Sequence, residues 1–272
     1  MNNILLLNDF SAEAEHAFAY AQKLAQTLQA NLLIWNFKEP EQKQSALNLL
    51  TAGHNGAVSS TTYLPETLLN YALPALTENA QVTCITNKDT DGYTLHELIK
   101  KHRIDLIVKG TESHTHALDR LTSQFLSKTL CPVLVVPQQA QLVNVKQMVY
   151  LTDLRYCRAH ITGYLKQVAH QLNAGLALAH ITAAKLPEPE TNYAVSLFRQ
   201  AIGHNTDQLN LSFQHITEPC INKAADVLID VLENNWLAMA YGKHHHNALN
   251  AACNTGQQKP AEITVPLLLF NC

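Results

Sequence analysis

Two loops carry the side chains best suited to chemistry. His114 and His116 lie in one, and His244, His245 and His246 lie in its counterpart further along the chain. Imidazole is a common ligand for zinc, nickel and copper, and neighbouring histidines can supply two or three nitrogens. Yet adjacent residues of a helix or strand point different ways, and no cysteine or acid stands at an established ligand spacing. The histidines therefore read as solvated loop residues, and no metal site is assigned to them. Cys131 precedes an apolar run and reads as a packing residue. Cys157 has Arg155 and Arg158 nearby, which would lower a thiol pKa. It has no partnered histidine in the sequence, so the structural reading prevails there too. There is no G-x-S-x-G elbow and no phosphate loop ending in G-K-[ST]. No catalytic residue is assigned, and the chain is not expected to be an enzyme.

Short apolar strands must position those loops. Leu106-Ile107-Val108 and Val133-Leu134-Val135-Val136 read as buried strands of a parallel sheet, which are continuous apolar runs because helices cover both faces. Gly110 ends the first, where a backbone without Cβ can turn sharply or approach a ligand closely. Pro132 opens the second, a position that tolerates a missing N–H. The loop between them sits at the carboxyl end of the sheet, where open α/β sheets bind ligands. Upstream, the strand Ile4–Asn8 leads into a helix capped by Ser11, with Glu13 and Glu15 in its first turn. Leu32 to Phe37 and Val82 to Thr86 read as further strands, and Leu68 to Leu73 as a short helix. Leu95 to His102 reads as a helix whose cationic end, Lys100-Lys101-His102-Arg103, is a solvated terminus and not a nucleic-acid patch.

After Gln138-Gln139-Ala140-Gln141 the pattern restarts. Met148 to Asp153 matches Ile4 to Asp9 in character, and a helix follows with Ile161, Leu165, Val168 and Leu172 on one face. Strands are expected at Leu176–Ile181 and Leu209–Ile216, and a helix at Ala224–Leu232. Leu237 to Gly242 parallels Leu106 to Gly110, and Pro266 to Phe270 parallels Pro132 to Val136. Asp9 and Asp153 are 144 residues apart, Gly110 and Gly242 are 132 apart, and Pro132 and Pro266 are 134 apart. A nearly constant offset marks an internal duplication. Two α/β domains are expected, over 1–141 and 142–272, with strand-helix-strand crossovers of the usual right hand.

Composition limits the alternatives. A chain of 272 residues with 47% apolar and 15% charged residues is ordinary for a globular protein. Its formal charge of −3 gives no reason to expect nucleic acid or an anionic membrane as partner. No apolar run approaches the length needed to span a bilayer. The six cysteines show no C-x-x-C spacing and several adjoin apolar runs, so a reduced, cytoplasmic protein is expected.

Asp105-Leu106-Ile107-Val108, the Gly110-Thr111 after it, and Cys131-Pro132-Val133-Leu134-Val135-Val136-Pro137 resemble the end of a universal stress protein domain. Ile4 to Ser11 resembles that family's first strand, with its acidic residue and following serine. The resemblance covers most of the first half and returns, weaker, in the second. It implies two tandem open twisted parallel-sheet domains, adenine nucleotide alpha hydrolase-like, with helices on both faces. It also implies that the halves pair edge to edge through their last strands, and that the protein acts in stress response or regulation by binding.

By the same resemblance, Asp9 and Asp153 would sit at the adenine–ribose end of a nucleotide pocket, although each could instead bond its own turn. Nucleotide-binding members carry Gly, two residues, Gly, nine residues, Gly, then Ser or Thr, which turns backbone N–H groups toward phosphate. Here Gly110 is followed by Ser113 in the second glycine's place, and the count then reaches Ser123-Gln124. In the second half Gly242 is followed by His245, and the count reaches Thr255-Gly256, out of order. Side chains thus stand where phosphate would approach, so no cofactor is expected and ATP or AMP binding would be weak or lost. The competing expectations are an ATP-binding stress protein with slow hydrolysis and a metal-responsive binder using the loop histidines.

Overall fold

In the computed structural model, described here over residues 1–36, 82–86, 95–111, 123, 126–142, 145–182, 186–202, 211–216, 221–231, 235–242 and 264–271, the chain separates into two compact units, Met1–Thr111 and Glu112–Cys272. The first contains β1 (Asn3–Asn8), α1 (Ala12–Leu28), β2 (Asn31–Asn36), β3 (Val82–Thr86), α2 (Leu95–His102) and β4 (Leu106–Thr111). Its strands lie in the order β3-β2-β1-β4, all parallel. Ile4 to Leu7, Leu32, Ile34 and Leu106 to Val108 are buried, as a parallel sheet requires.

Helix α1 forms where the sequence places it. The Ser11 hydroxyl accepts the Ala14 N–H at 3.2 Å, and Glu13 and Glu15 stand in the first turn. Ala14, Ala17, Phe18, Ala21, Leu24, Ala25 and Leu28 are buried, and the helix packs on β1 and β4. It ends at Gln29 in the left-handed conformation (φ 53°), where Ala30 donates its N–H to Ala25 O at 2.9 Å. At the amino end of the sheet, Asp105 Oδ2 accepts the N–H groups of Asn2 and Asn3 at 2.6 and 3.3 Å.

The second unit contains β5 (Val133–Pro137), β6 (Gln147–Thr152), α3 (Ala159–Leu172), β7 (Gly175–His180), α4 (Thr191–Ile202), β8 (Leu211–His215), α5 (Ile221–Asp226), β9 (Trp236–Ala240) and β10 (Leu267–Phe270). Its strand order is β8-β7-β6-β9-β10-β5. The first four of these repeat the order of the first unit, and β6, β7, β8, β9 and β10 pair parallel. Strand β5 pairs antiparallel with β10, Leu268 opposite Leu134. The two apolar runs that close the halves of the sequence therefore lie side by side.

Other local devices recur. Asn173 (φ 52°) ends α3 as Gln29 ends α1, with Ala174 donating to Ala169 O at 2.8 Å. Asn235 Oδ1 accepts the N–H groups of Lys146 and Gln147 at 2.7 and 3.2 Å, the task Asp105 performs for Asn2 and Asn3. Two differences from the sequence reading stand out. Helix α4 was not anticipated, and the helix expected over Ala224–Leu232 begins at Ile221 and widens into a π turn at Val227–Val231. The short helix expected at Leu68 to Leu73 lies outside the described residues, as does Phe37.

Candidate functional site

The two acids singled out in the sequence both turn back on their own loops. Asp9 Oδ1 accepts the Ser11 N–H at 3.3 Å and the Ser11 hydroxyl at 2.6 Å. Phe10 between them takes a left-handed backbone (φ 62°), and its N–H goes to Asn8 Oδ1 at 3.1 Å. Asp153 is buried and held more firmly. Its Oδ1 accepts the Arg155 N–H at 3.1 Å and Nε at 2.9 Å, and its Oδ2 accepts Nη2 at 2.6 Å. The hydrogen bond to Asp153 raises the Arg155 pKa further, against the effect of burial. These side chains make the Asx-type turns weighed above as their local role.

The two glycines are retained for different reasons. A Cβ on Gly110 would lie 2.1 Å from Glu13 O and 2.4 Å from Glu13 C, so glycine is what lets the first turn of α1 rest on β4. Its backbone is not left-handed. Gly242, its counterpart, has φ +68° and open space where a Cβ would go, so there the backbone conformation is the reason. Gly110 thus serves a close approach, to α1, while Gly242 serves a left-handed turn. Ser123 is helical and half-buried. Ser113, His114, His116, His244, His245, His246 and Thr255-Gly256 lie outside the described residues.

Cys131 is buried beside β5, its N–H bonded to Thr129 Oγ1 at 3.0 Å, in keeping with a packing role. Cys84 in β3 has its thiol pushed up to about 12 by burial, which makes it a poor nucleophile.

The sequence reading missed a third group. His180 ends β7, His215 ends β8, and the parallel register sets them directly opposite each other. Their rings lie 5.2 Å apart between centroids, and His215 also stacks on Phe213 at 6.3 Å. Glu188, in the loop after β7, places Oε1 2.5 Å from His215 Nε2. Arg155 steadies that loop by donating Nη1 to Pro187 O at 3.1 Å. His180 is fully buried: its Nδ1 accepts the Leu154 N–H at 3.2 Å, and its Nε2 has no hydrogen-bond partner. Burial pushes its pKa below the ordinary histidine value; Asp153 and Glu188 oppose this, while His215 and Arg155 reinforce it. Glu188 is held below its usual carboxylate value. Burial works against that, but the neighbouring Thr182 hydroxyl and His215 ring outweigh it. One donor atom from each of His180, Glu188 and His215 lies within 4.8 Å of the others. No spacing rule could have found them, since they are joined only by register.

Parallel strands alternating with helices, and polar side chains gathered at the carboxyl ends of β6, β7 and β8, define an α/β protein with a nucleotide-binding-like fold. The model of the universal stress protein family matches residues 1–137. The chain belongs to the universal stress protein family. Among solved structures, it is similar to a universal stress protein from Archaeoglobus fulgidus, with 12% identity, TM-score 0.60, and 99% of this chain and 98% of that chain covered. It is also similar to a putative universal stress protein from Pseudomonas aeruginosa, with 13% identity, TM-score 0.52, and 100% and 93% covered. These likenesses extend the fold over the whole length. No curated protein matches closely enough to count as a relative. Among the described residues, no helix is long and apolar enough to cross a membrane.

Proposed function

We propose that this member of the universal stress protein family acts in stress response or regulation by binding, in the cytoplasm and without a reaction of its own. Its two halves are two copies of one domain, joined through β5 and β10 as a pseudo-dimer. Nucleotide binding is weak or lost. The observation that carries this reading is the commitment of both acids, with Asp9 bonded to Ser11 and Asp153 to Nε and Nη2 of Arg155. A ribose hydroxyl reaching Asp153 would have to displace a charge-assisted pair, each such bond contributing about 1.5–3 kcal/mol.

Ser113 and His245, standing where glycines would let backbone approach phosphate, support the same reading. Losing two charge-assisted phosphate bonds would weaken binding by roughly a hundredfold or more. The test is calorimetric titration with ATP and magnesium, together with nucleotide analysis of the denatured protein. Binding no tighter than about 100 μM, and no released nucleotide, is expected. Micromolar affinity, or ATP released on denaturation, would overturn the proposal in favour of an ATP-binding stress protein.

A further inference from the structure

Within the group of His180, Glu188 and His215, one buried polar atom is left unsatisfied. A buried polar atom without a partner is uncommon and costs roughly 1–3 kcal/mol unless something meets it. Nε2 of His180 is such an atom, on a side chain with no exposure. Its ring faces His215, and the donor atoms of His180, His215 and Glu188 converge within 4.8 Å.

We propose that His180, Glu188 and His215 form a binding site for a divalent transition metal of the zinc class. The ligands are Nε2 of His180, a ring nitrogen of His215 and a carboxylate oxygen of Glu188. Two imidazoles and one carboxylate suit zinc, nickel or copper and disfavour magnesium and calcium, which take all-oxygen sets. Three protein ligands leave a fourth tetrahedral position for water or another small donor.

The donor atoms, now up to 4.8 Å apart, must draw together around the ion. Tetrahedral zinc with bonds of about 2.0–2.1 Å separates its ligand atoms by about 3.3 Å. The Glu188 carboxylate and His215 Nε2, now 2.5 Å apart, would part by under an ångström, and Glu188 is the exposed member of the set. The proton account is definite. With Nδ1 accepting from Leu154, neutral His180 carries its ring proton on Nε2. Coordination through Nε2 moves that proton to Nδ1 and gives up the Leu154 contact. Asp153 Oδ1, 3.9 Å from Nδ1, is the neighbouring carboxylate, and it would accept this N–H once the ring closes by roughly 1 Å. A carboxylate behind a ligating imidazole fixes its tautomer and raises its basicity. Arg155, held on the same carboxylate, keeps Asp153 in place. The groups facing the site are thus Asp153, Arg155, Glu188, His180 and His215.

None of the loop histidines is among these ligands, and the test separates the two readings. Full-length protein freed of metal with a chelator is titrated with zinc chloride and, in parallel, magnesium chloride. One zinc per chain at micromolar Kd or tighter is expected, with no magnesium heat. His215→Asn and Glu188→Gln should each weaken zinc at least tenfold, and His180→Asn should abolish the site. A variant with His114, His116, His244, His245 and His246 all changed to Ala should bind zinc as before. Nitrogen-15 histidine spectra should show one ring passing from the Nε2–H to the Nδ1–H form on zinc addition. If His180→Asn fails to fold, the two more exposed variants and the spectra still decide. Absence of stoichiometric zinc binding, binding unchanged in His215→Asn and Glu188→Gln, or binding lost in the five-histidine variant would overturn the proposal.

Discussion

Arg155 holds both carboxylate oxygens of Asp153, Nε on Oδ1 at 2.9 Å and Nη2 on Oδ2 at 2.6 Å, across only two residues of chain. The carboxylate is 2% exposed and the guanidinium 18%, so the pair is shielded on the acidic side and reachable by water on the other. Replacing Arg155 by Ala leaves a buried charge with the residue-155 N–H as its remaining bond from that turn. A fully buried pair broken this way costs about 3–5 kcal/mol, and the partial exposure of Arg155 lowers the expectation to about 2–3. Urea denaturation of Arg155→Ala measures it. The double variant with Asp153→Ala should lose less than the sum of the single losses. Additive losses would show that the pair is not a unit.

The two equivalent glycines should respond differently to alanine. Gly110→Ala drives a methyl into the backbone of Glu13, and rigid backbone cannot yield as a side-chain tip can. A loss of about 2–4 kcal/mol is expected, in the upper range of overpacking changes. Gly242→Ala meets open space and bears only the left-handed backbone, a cost of about 1–2 kcal/mol. Equal losses would mean that α1 does not rest on β4 as closely as described.

Stability should fall as pH drops through the histidine range. The His180 pKa is lowered in the folded state, so the unfolded chain takes up a proton first, near its ordinary value of about 6.5. Its contribution is therefore complete above about 6.5 and is lost as pH falls toward the folded value. Glu188 is lowered as well, and its contribution is lost lower, below the usual glutamate range. His180→Asn keeps an acceptor for Leu154 and removes the titration. The urea midpoint of that variant should stay flatter than wild type between about pH 7 and 5.5. An unchanged profile would place the titrating group elsewhere.

Asp105 and Asn235 do one job with different chemistry, each gathering two backbone N–H groups at the start of the neighbouring strand. Asp105→Asn keeps an acceptor oxygen and should cost under about 1 kcal/mol, whereas Asp105→Ala should cost about 1–3. Chemical denaturation compares the two, and equal costs would mean that charge, not acceptance, is what matters there.

How far the sequence revealed this protein depends on the range of the interaction concerned. Strands such as Leu106–Val108 and Val133–Val136 were legible because a strand buried on both faces is a continuous apolar run. Helix α1 was legible because Ser11 and its acids announce the start. Helix α4 was not, since it starts at Thr191 after Glu190, so the cap-forming residue types Thr191 and Asn192 stand inside the helix and not before it. The reason for Gly110 was hidden because the obstacle is the backbone of Glu13, nearly a hundred residues earlier. The His180–Glu188–His215 group was hidden for the same kind of reason. Adjacent histidines in the loops drew attention, while the pair that meets is separated by the whole β7–α4–β8 crossover.

The antiparallel seam of β5 and β10 also bears on how the protein behaves on dilution. Leu267, Leu268 and Leu269 meet Val135, Leu134 and Val133 within one chain, with β9 on the other side of β10. Strand β10 consequently offers no free edge to a neighbouring molecule. A strand pairing made within one chain is held at a fixed local concentration set by the connecting polypeptide. Its occupancy does not fall as the protein is diluted, and weakening it would appear as local opening within one molecule and not as dissociation into two.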